Sequence, residues 1–317
     1  MKIVITGAAG AVGSHVAEAL LKEGHLVRGI DSFSPYYSRA LKQITADDIT
    51  KKGVQFIEAD LLTADLDYLL NETDVIYHFA AQPGLSSTVP FSDYLQNNVV
   101  ATHRLLEAAH RRKVKLFVYI STSSVYGKQA SGDETTLPKP TSFYGVTKLA
   151  GEELALSYSR EGKVPATSLR LFSVYGERER PEKLYHKLIR SIERGEEFPL
   201  YEGSEKHVRS YTYVGDAVQG CLTVLKHQDK VIGEVFNIGS DKTITTGEGI
   251  AIVERLMGKK AKIVYKPARQ GDQLETSANI EKAKRVLGYA PTTPPEEGLA
   301  REIAWYRVKI RPHEPAL

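Results

Sequence analysis

A tyrosine and a lysine lie four residues apart in the segment YGVTK, which spans residues 144–148. At this spacing the side chains of Tyr144 and Lys148 share one face of a helix. A nearby cation favours the phenolate over the phenol, so the pattern predicts a lowered pKa for Tyr144. Taken alone, the same spacing is also typical of an ordinary solvated helix face. The interpretation as a catalytic pair therefore depends on other segments of the chain.

Four hydroxyl-bearing residues, STSS at positions 121–124, give the first support. They stand at the end of an apolar run that predicts a strand over residues 115–121. In α/β proteins, ligands bind beyond the carboxyl ends of parallel strands. These hydroxyl groups are therefore expected at the edge of the sheet where a substrate would bind.

Three glycines in the segment TGAAGAVG, residues 6–13, give the second support. Gly7 would allow a tight turn, Gly10 would let the backbone approach a pyrophosphate, and Gly13 would let a helix pack closely on a strand. The amino end of the following helix would then offer N–H donors to the phosphates. The spacing is G-x-x-G-x-x-G rather than G-x-G-x-x-G, and a turn required only for packing is the alternative.

Two aspartates at strand ends extend this nucleotide site. Asp31 closes the second predicted strand, where a carboxylate can accept hydrogen bonds from both adenosine-ribose hydroxyls. It would repel a 2′-phosphate, and no arginine follows it directly, so NAD is favoured over NADP. Asp31 as a loop cap is the alternative. Asp60, at the end of the third predicted strand, is a candidate contact for adenine, although aspartate is common at strand ends.

The elements that must position these residues alternate along the first half of the chain. Strands are predicted at residues 2–6, 25–31, 54–59, 74–80, 115–121 and 166–172, and helices at 11–23, 93–111 and 144–160. Alternation of this kind predicts an α/β protein with a Rossmann-type doubly wound parallel sheet. The pattern loosens after residue 175. We therefore expect a dinucleotide-binding domain over 1–175 and a smaller α/β lobe over 176–317, with some late segments returning to the first domain.

Composition excludes several other classes of protein. The chain has 317 residues, 42% of them hydrophobic, and a formal net charge of +3, which is too weak to indicate nucleic-acid binding. Its one cysteine, Cys221, allows no intrachain disulfide and no cysteine-cluster metal site, so no metal is expected. We find neither a signal-peptide core nor an apolar run of membrane-spanning length. The sequence therefore predicts a cytoplasmic protein.

Taken together, the motifs identify a family. The chain resembles the extended short-chain dehydrogenase/reductases, specifically their NAD-dependent nucleotide-sugar epimerase and dehydratase branch. The resemblance covers nearly the whole chain and rests on the glycine loop, Asp31, Asp60-Leu61, HFAAQ at 78–82, Asn98, TSSVYG at 122–127, Tyr144 and Lys148, LRLFSVYG at 169–176, RSYTYVGD at 209–216 and RQGD at 269–272.

The resemblance implies a role for each matching residue. Tyr144, as phenolate, would take the proton of a sugar C4 hydroxyl, Lys148 would tune Tyr144 and hold the nicotinamide ribose, and Thr122 would hydrogen-bond to the same sugar oxygen. The implied NAD contacts are Gly7, Gly10, Gly13, Asp31, Asp60, Leu61, Ala80, Ala81, Asn98, Tyr144 and Lys148. The implied contacts to a UDP-sugar are Thr122, Ser123, Ser173, Arg180, Arg209, Arg269 and Asp272. For either Arg209 or Arg269 alone, an ordinary surface ion pair is the alternative.

Differences between branches of the family narrow the chemistry. The 4,6-dehydratases carry Asp-Glu where this chain has Ser123-Ser124, and the uronate decarboxylases place Glu at Ser124. The 3,5-epimerases need a cysteine at the site, whereas Cys221 lies in a late helical pattern. With no second acid or base visible, epimerisation at C4 is the simplest remaining reaction. It would leave NAD unchanged.

The resemblance is strongest to UDP-glucuronate 4-epimerases, in which the arginine matching Arg180 binds the substrate carboxylate. One departure is Leu85-Ser86, where the family often has arginine, so UDP-glucose and UDP-galactose remain alternative substrates. Arg180 would otherwise join a solvated charge cluster with Glu177, Arg178 and Glu179. A one-way nucleotide-sugar reductase and a non-catalytic NAD-binding sensor also remain open as functions. The resemblance further implies a homodimer through helices 93–111 and 144–160.

Overall fold

The structure, a computed structural model, describes residues 1–84, 89–268 and 275–316. Its strands are β1 (Lys2–Thr6), β2 (Leu26–Asp31), β3 (Gln55–Glu58), β4 (Val75–His78), β5 (Leu116–Thr122), β6 (Gln129–Ala130), β7 (Ala166–Leu171), β8 (Val174–Tyr175), β9 (Glu197–Tyr201), β10 (Val208–Arg209), β11 (Thr212–Tyr213), β12 (Val235–Ile238), β13 (Ile244–Thr245), β14 (Lys262–Lys266) and β15 (Glu275–Thr276). Its α-helices are α1 (Ala11–Lys22), α2 (Arg39–Lys51), α3 (Leu66–Leu69), α4 (Phe91–Leu95), α5 (Ala101–Arg111), α6 (Phe143–Arg160), α7 (Leu184–Arg194), α8 (Val214–Lys226), α9 (Gln228–Val231), α10 (Thr246–Met257), α11 (Glu281–Leu287) and α12 (Pro295–Trp305). A π-helical turn at Gln96–Val100 joins α4 to α5.

Seven parallel strands form the large sheet, in the order β3-β2-β1-β4-β5-β7-β12. The chain first winds outward from β1 to β3 and then returns to place β4 on the other side of β1. This reversal leaves a crevice beyond the carboxyl ends of β1 and β4, which is where open α/β sheets bind ligands. The predicted doubly wound sheet is confirmed.

Both faces of this sheet are covered, which is why its strands are continuous apolar runs. Alternate residues of β1 face opposite layers: Ile3 and Ile5 pack with α1 on one side, and Val4 packs with α5 on the other. All seven residues of β5 are buried. Helix α8 packs beside α1, and α6 packs beside α5. The sheet is therefore a rigid base for the loops at its edge.

The smaller lobe is built from short strand pairings and helices. Strands β9 and β14 pair in parallel, and a second small sheet has the order β13-β10-β15-β6. Helix α10 packs against α7 and α12. Strand β6 comes from the first half of the chain, so this lobe is not assembled from the second half alone.

The six strands and three helices predicted for the first half are all present, with ends displaced by at most two residues. Two elements beyond residue 175 belong to the large sheet and its cover: β12 pairs with β7, and α8 lies on α1. Within the part of the chain that the structure describes, no helix has the length and apolar content needed to cross a membrane.

Candidate functional site

A cavity of about 640 Å³ opens at the carboxyl edge of the large sheet, where the winding direction changes. The glycine loop and the ends of β2 and β4 line one part of it. The end of β5, the start of α6 and segment 173–184 of the smaller lobe line the other part. The sequence-predicted nucleotide and chemical sites therefore share one cavity.

The glycine loop is held so tightly that side chains would not fit. Gly7 has φ of +71°, and a Cβ there would lie 2.7 Å from the backbone nitrogen of Ala80. A Cβ on Gly13 would lie 2.5 Å from the carbonyl oxygen of Gly7. Gly10 precedes α1, whose first turn receives no side-chain cap. The first N–H groups of α1 are therefore directed at the cavity without a capping side chain, as a phosphate site requires.

Asp31 ends β2 at the cavity wall. Its carboxylate accepts hydrogen bonds from the backbone N–H of Ala9 at 3.0 Å and of Phe33 at 2.9 Å. Burial raises the pKa of this carboxyl, while the two backbone hydrogen bonds oppose the rise. The loop-capping interpretation is thus correct, and it leaves lone pairs of both oxygens for a further donor.

The other predicted contacts to a nucleotide lie around the same edge. Asp60 is exposed, lines the cavity and accepts a hydrogen bond from the N–H of Leu62. Leu61, Ala80 and Ala81 also line the cavity. The N–H of Ala80 donates to the Thr6 hydroxyl, which keeps the end of β4 beside the glycine loop.

Asn98 is the exception among the predicted nucleotide contacts. It lies behind the cavity wall, 1% exposed. Its Oδ1 accepts from the N–H of Gln82 at 2.7 Å, and its Nδ2 donates to the Gln82 carbonyl and to Thr147 Oγ1. Asn98 therefore positions the loop after β4 against α6, and its contact with a cofactor remains a prediction.

Tyr144, Lys148 and Thr122 meet at the centre of the cavity wall. Helix α6 begins just before Tyr144 because Ser142 caps it, accepting from the N–H of Gly145 at 3.1 Å. Thr122 ends β5 and caps the following turn, where its hydroxyl accepts from the N–H of Ser124. The structure thus brings the tyrosine, the lysine and the threonine hydroxyl to one cavity, as the sequence predicts.

The electrostatics of Tyr144 differ from the expectation. Burial raises the pKa of Tyr144, whereas the charge of Arg180 and a hydrogen bond with Thr122 lower it. The net result is a raised pKa, so the predicted lowering is wrong for this geometry. The physical reason is burial, which outweighs the opposing effects, and the Lys148 ammonium lies 4.1 Å from the centre of the Tyr119 ring.

The buried position of Lys148 disfavours its charged form. Burial lowers its pKa to about 7, and the carboxylate of Glu152 opposes this shift. The side chain is 2% exposed, and among the described residues its ammonium has no hydrogen-bond acceptor. A buried ammonium with unmet donors fits the hydroxyl groups of a bound ribose.

Arg180 faces the cavity rather than the solvent. Its side chain is 20% exposed, and Nη1 lies 2.9 Å from Glu182 Oε1. This ion pair does not have hydrogen-bond geometry, so within the described part of the chain Nη1 has no acceptor. The alternative, a solvated cluster of these neighbours, is not what the structure shows: Arg178 pairs with Glu18 of α1, and Glu177 accepts from the Tyr213 hydroxyl.

The remaining predicted contacts to a sugar nucleotide divide into two groups. Ser123, Ser173 and Arg209 line the cavity, and Arg209 also donates to the carbonyl of Val208. Arg269 and Asp272 lie outside the described residues, as does the departure at Leu85-Ser86. Cys221 is buried in α8, and its carbonyl accepts from the Tyr77 hydroxyl.

Sequence reasoning missed four further residues that line the cavity: Tyr36, Lys42, Glu179 and Glu182. Lys42 is 5% exposed and bonds to Ser34. Burial raises the pKa of Glu179 to about 7. An apolar-run analysis cannot find these residues, because charged side chains in loops and on an amphipathic helix normally face water. Among the described residues, no group of three or more potential ligands for a metal ion is present.

The parallel sheet and this cavity define a dinucleotide-binding protein of the short-chain dehydrogenase/reductase type. Residues 3–239 match the sequence model of the NAD dependent epimerase/dehydratase family, and the chain belongs to that family. The family expected from the sequence is therefore confirmed.

Individual relatives match over almost the whole chain. The "uncharacterized UDP-glucose epimerase YtcB" of Bacillus subtilis strain 168 is 41% identical, covering 96% of this chain and 98% of its own. UDP-glucuronate 4-epimerase 3 of Arabidopsis thaliana is 35% identical, covering 96% and 76%. The crystal structure of a UDP-glucuronic acid 4-epimerase from Bacillus cereus, with UDP-glucuronic acid and NAD, superposes with a TM-score of 0.93 at 38% identity, covering 97% of this chain and 99% of that one.

Proposed function

We propose that the protein is an NAD-dependent 4-epimerase of UDP-sugars, and that it converts UDP-glucuronate to UDP-galacturonate. The observation that carries the uronate assignment is the state of Arg180. Its charge favours a lower pKa of Tyr144, and its Nη1 has no hydrogen-bond acceptor among the described residues. A charged donor with unmet capacity suits a carboxylate. The Bacillus cereus relative, a UDP-glucuronic acid 4-epimerase by name, supports the same assignment.

The residues present fit NAD. The side-chain-free cradle at Gly7 and Gly13, the open first turn of α1, and the unsatisfied ammonium of Lys148 match a pyrophosphate and a ribose. Asp31 would accept from the second ribose. When bound, NAD supplies the group that takes the C4 hydride and returns it.

The chain itself moves the proton and fixes the sugar. Tyr144 takes the proton of the C4 hydroxyl during oxidation and returns it during reduction. Thr122 hydrogen-bonds to the same oxygen and keeps it beside the phenol. Burial raises the pKa of Tyr144, and the charge of Arg180 opposes this rise and favours the phenolate.

A 4-keto uronate is a β-keto acid, which loses CO₂ when the breaking bond aligns with the carbonyl π system. Arg180 and Ser173, which both line the cavity, would hold the carboxylate near the carbonyl plane, where that alignment is lost. This is the task that separates a uronate epimerase from a uronate decarboxylase.

The test is incubation of the protein with UDP-glucuronate and with UDP-glucose, without added cofactor, followed by NMR of the products. We expect UDP-galacturonate from the first and slower or no conversion of the second. Conversion of UDP-glucose alone would overturn the uronate assignment, and release of CO₂ would overturn the epimerase assignment. In a parallel incubation with added NADH, its stoichiometric consumption would indicate the one-way reductase, and binding of NAD without turnover would indicate the sensor.

A second experiment tests the roles of the residues. Tyr144→Phe should lower turnover by about a thousandfold, the range expected for loss of a general acid–base, while binding of the UDP-sugar is kept. Tyr68→Phe is the matched control, because the Tyr68 side chain is 74% exposed and lies away from the cavity. Equal activity of Tyr144→Phe and the wild type would exclude the proposed base.

UDP-glucose/UDP-galactose epimerisation is the second candidate. It is favoured by the name of the Bacillus subtilis relative and by Glu182, which neutralises Arg180 in the absence of any substrate carboxylate.

We further infer that residues 1–175, with β12 and α8, bind NAD, and that most of the remainder binds the UDP-sugar, including Arg209, Arg269 and Asp272. A cytoplasmic location is part of the same proposal.

A homodimer through α4–α5 and α6 completes the proposal. Its support is an exposed apolar face on these helices, formed by Phe91, Leu95, Phe143 and Val146, in which the rings of Phe91 and Phe143 lie 5.2 Å apart. Sedimentation should give a dimer for the wild type and a monomer for Leu95→Asp. Val308→Asp, at a 70% exposed position elsewhere, should leave the dimer intact.

A further inference from the structure

Glu182 forms an ion pair with Arg180, the residue that is proposed to bind the substrate carboxylate. Its Oε1 lies 2.9 Å from Nη1 of Arg180, and its side chain is 41% exposed at the cavity surface. The Tyr36 ring lies beside the pair, with its centre 5.6 Å from the Arg180 guanidinium carbon. Gly84 leaves room for this group, because a Cβ there would lie 2.7 Å from the Tyr36 hydroxyl and 3.4 Å from Arg180 Nη1.

The pair has consequences for both sugars. With a neutral hexose, Arg180 keeps Glu182 as its counter-ion, so no unpaired charge is left in the cavity wall. With a uronate, a second carboxylate must approach the same guanidinium, and the two negative charges repel each other. The charge of Glu182 therefore favours the hexose relative to the uronate.

We propose that Glu182 is a specificity-determining residue, a built-in counter-ion of Arg180 that limits the preference for UDP-glucuronate and lets the same cavity accept UDP-glucose. This inference rests on the proposed function, because it assumes that Arg180 meets the sugar at C6. Tyr36 packs against the Arg180 side chain of this pair.

Steady-state kinetics of Glu182→Gln with both substrates tests the proposal. The substitution removes the charge and keeps the shape. We expect kcat/KM for UDP-glucuronate, divided by kcat/KM for UDP-glucose, to rise by about tenfold, which corresponds to ~1.4 kcal/mol. Glu182→Asp keeps the charge and should stay near the wild-type ratio. Glu153→Gln, which breaks an exposed ion pair on α6, is the matched control and should leave the ratio unchanged.

A double-mutant cycle decides whether Arg180 mediates the effect. In an Arg180→Leu background, Glu182→Gln should no longer change the ratio, because the carboxylate subsite is then absent. An equal change for both sugars, or an effect that persists without Arg180, would overturn the proposal.

Binding measurements separate this inference from the proposed function. Calorimetric Kd values for UDP-glucuronate and UDP-glucose in the Tyr144→Phe background do not require turnover. If Glu182→Gln shifts the ratio of Kd values about tenfold there while the otherwise unmodified protein epimerises neither sugar, the specificity role stands and the proposed reaction fails. If the protein epimerises a sugar and neither ratio changes, the specificity role fails and the reaction stands.

Discussion

Two arginine–glutamate pairs belong to the elements around Tyr144, and they are built differently. Arg170 of β7 meets Glu152 of α6 through Nη2 at 2.6 Å and Nε at 3.2 Å, and the two side chains are 4% and 0% exposed. Arg170 Nη1 also donates to the Tyr126 hydroxyl, and the Ser168 hydroxyl donates to Glu152. Arg180 and Glu182 make one contact, and within the described residues Nη1 lacks an acceptor.

The difference separates support from binding. A fully hydrogen-bonded buried pair has no capacity left for a ligand, so the Arg170–Glu152 pair fixes α6 against the large sheet. An incompletely satisfied pair at a cavity wall is ready to accept a further anion or donor. The cavity therefore lies between a rigid side, formed by α6 and β7, and an adaptable side, formed by segment 173–184.

Breaking the rigid pair should have the largest effect. Arg170→Leu leaves the carboxylate of Glu152 buried without its partner, so we expect a loss of about 3–5 kcal/mol in the free energy of unfolding, measured in urea. The double variant Arg170→Leu/Glu152→Leu should recover part of that loss. A loss below ~1 kcal/mol for the single variant would remove the distinction between the two pairs.

Breaking the adaptable pair should change catalysis more than stability. Arg180→Leu should lower kcat/KM for UDP-glucuronate by about 10- to 100-fold, or ~1.4–2.7 kcal/mol, because a charge-assisted contact is lost. The thermal midpoint should stay close to that of the wild type. Arg190→Leu, in an exposed pair with Glu196, is the control. Equal losses for UDP-glucuronate and UDP-glucose would exclude the carboxylate role.

Lys148, on the same helix as Glu152, should make stability depend on pH. Its pKa falls to about 7 in the folded protein without ligands, below the ordinary lysine value, so the unfolded chain holds the proton to higher pH. The free energy of unfolding should therefore rise by roughly 1.4 kcal/mol between pH 6 and pH 8 from this group. Lys148→Met removes this titrating group. In urea titrations, the free energy of unfolding of the variant relative to the wild type should therefore fall by the same amount between pH 6 and pH 8. An identical pH dependence in both proteins would contradict the lowered pKa.

Breaking an exposed ion pair should have the smallest effect on the free energy of unfolding. Arg160 and Glu153 of α6 lie 3.0 Å apart, with side chains 60% and 55% exposed. Glu153→Gln should change the free energy of unfolding by less than ~0.5 kcal/mol, since solvent screens such pairs. A change above ~1 kcal/mol would show that exposure does not govern the contribution of ion pairs in this protein.

The secondary structure and the motifs of the cavity were predictable from the sequence, whereas the interactions between distant residues were not. The strands and helices of the first half follow from apolar runs and periodicity, and the residues of the glycine loop and the YGVTK segment meet in one cavity. The pKa balance of Tyr144 was not predictable, because it depends on Arg180, a residue distant in sequence. The hydrogen bonds of Asn98 within the protein were not predictable for the same reason, since its partners Gln82 and Thr147 come from separate elements.

The sequence by itself determined the elements, the family and the types of residue that can perform the reaction, because these depend on local periodicity and on short motifs. Only the tertiary structure decided which charges face each other. Arg178 and Arg180 are neighbours in a charged run, yet one is paired with Glu18 of α1 and the other faces the cavity beside Tyr144. Burial and the partners brought by distant elements fix the energy of a charge, and neither is encoded by position along the chain.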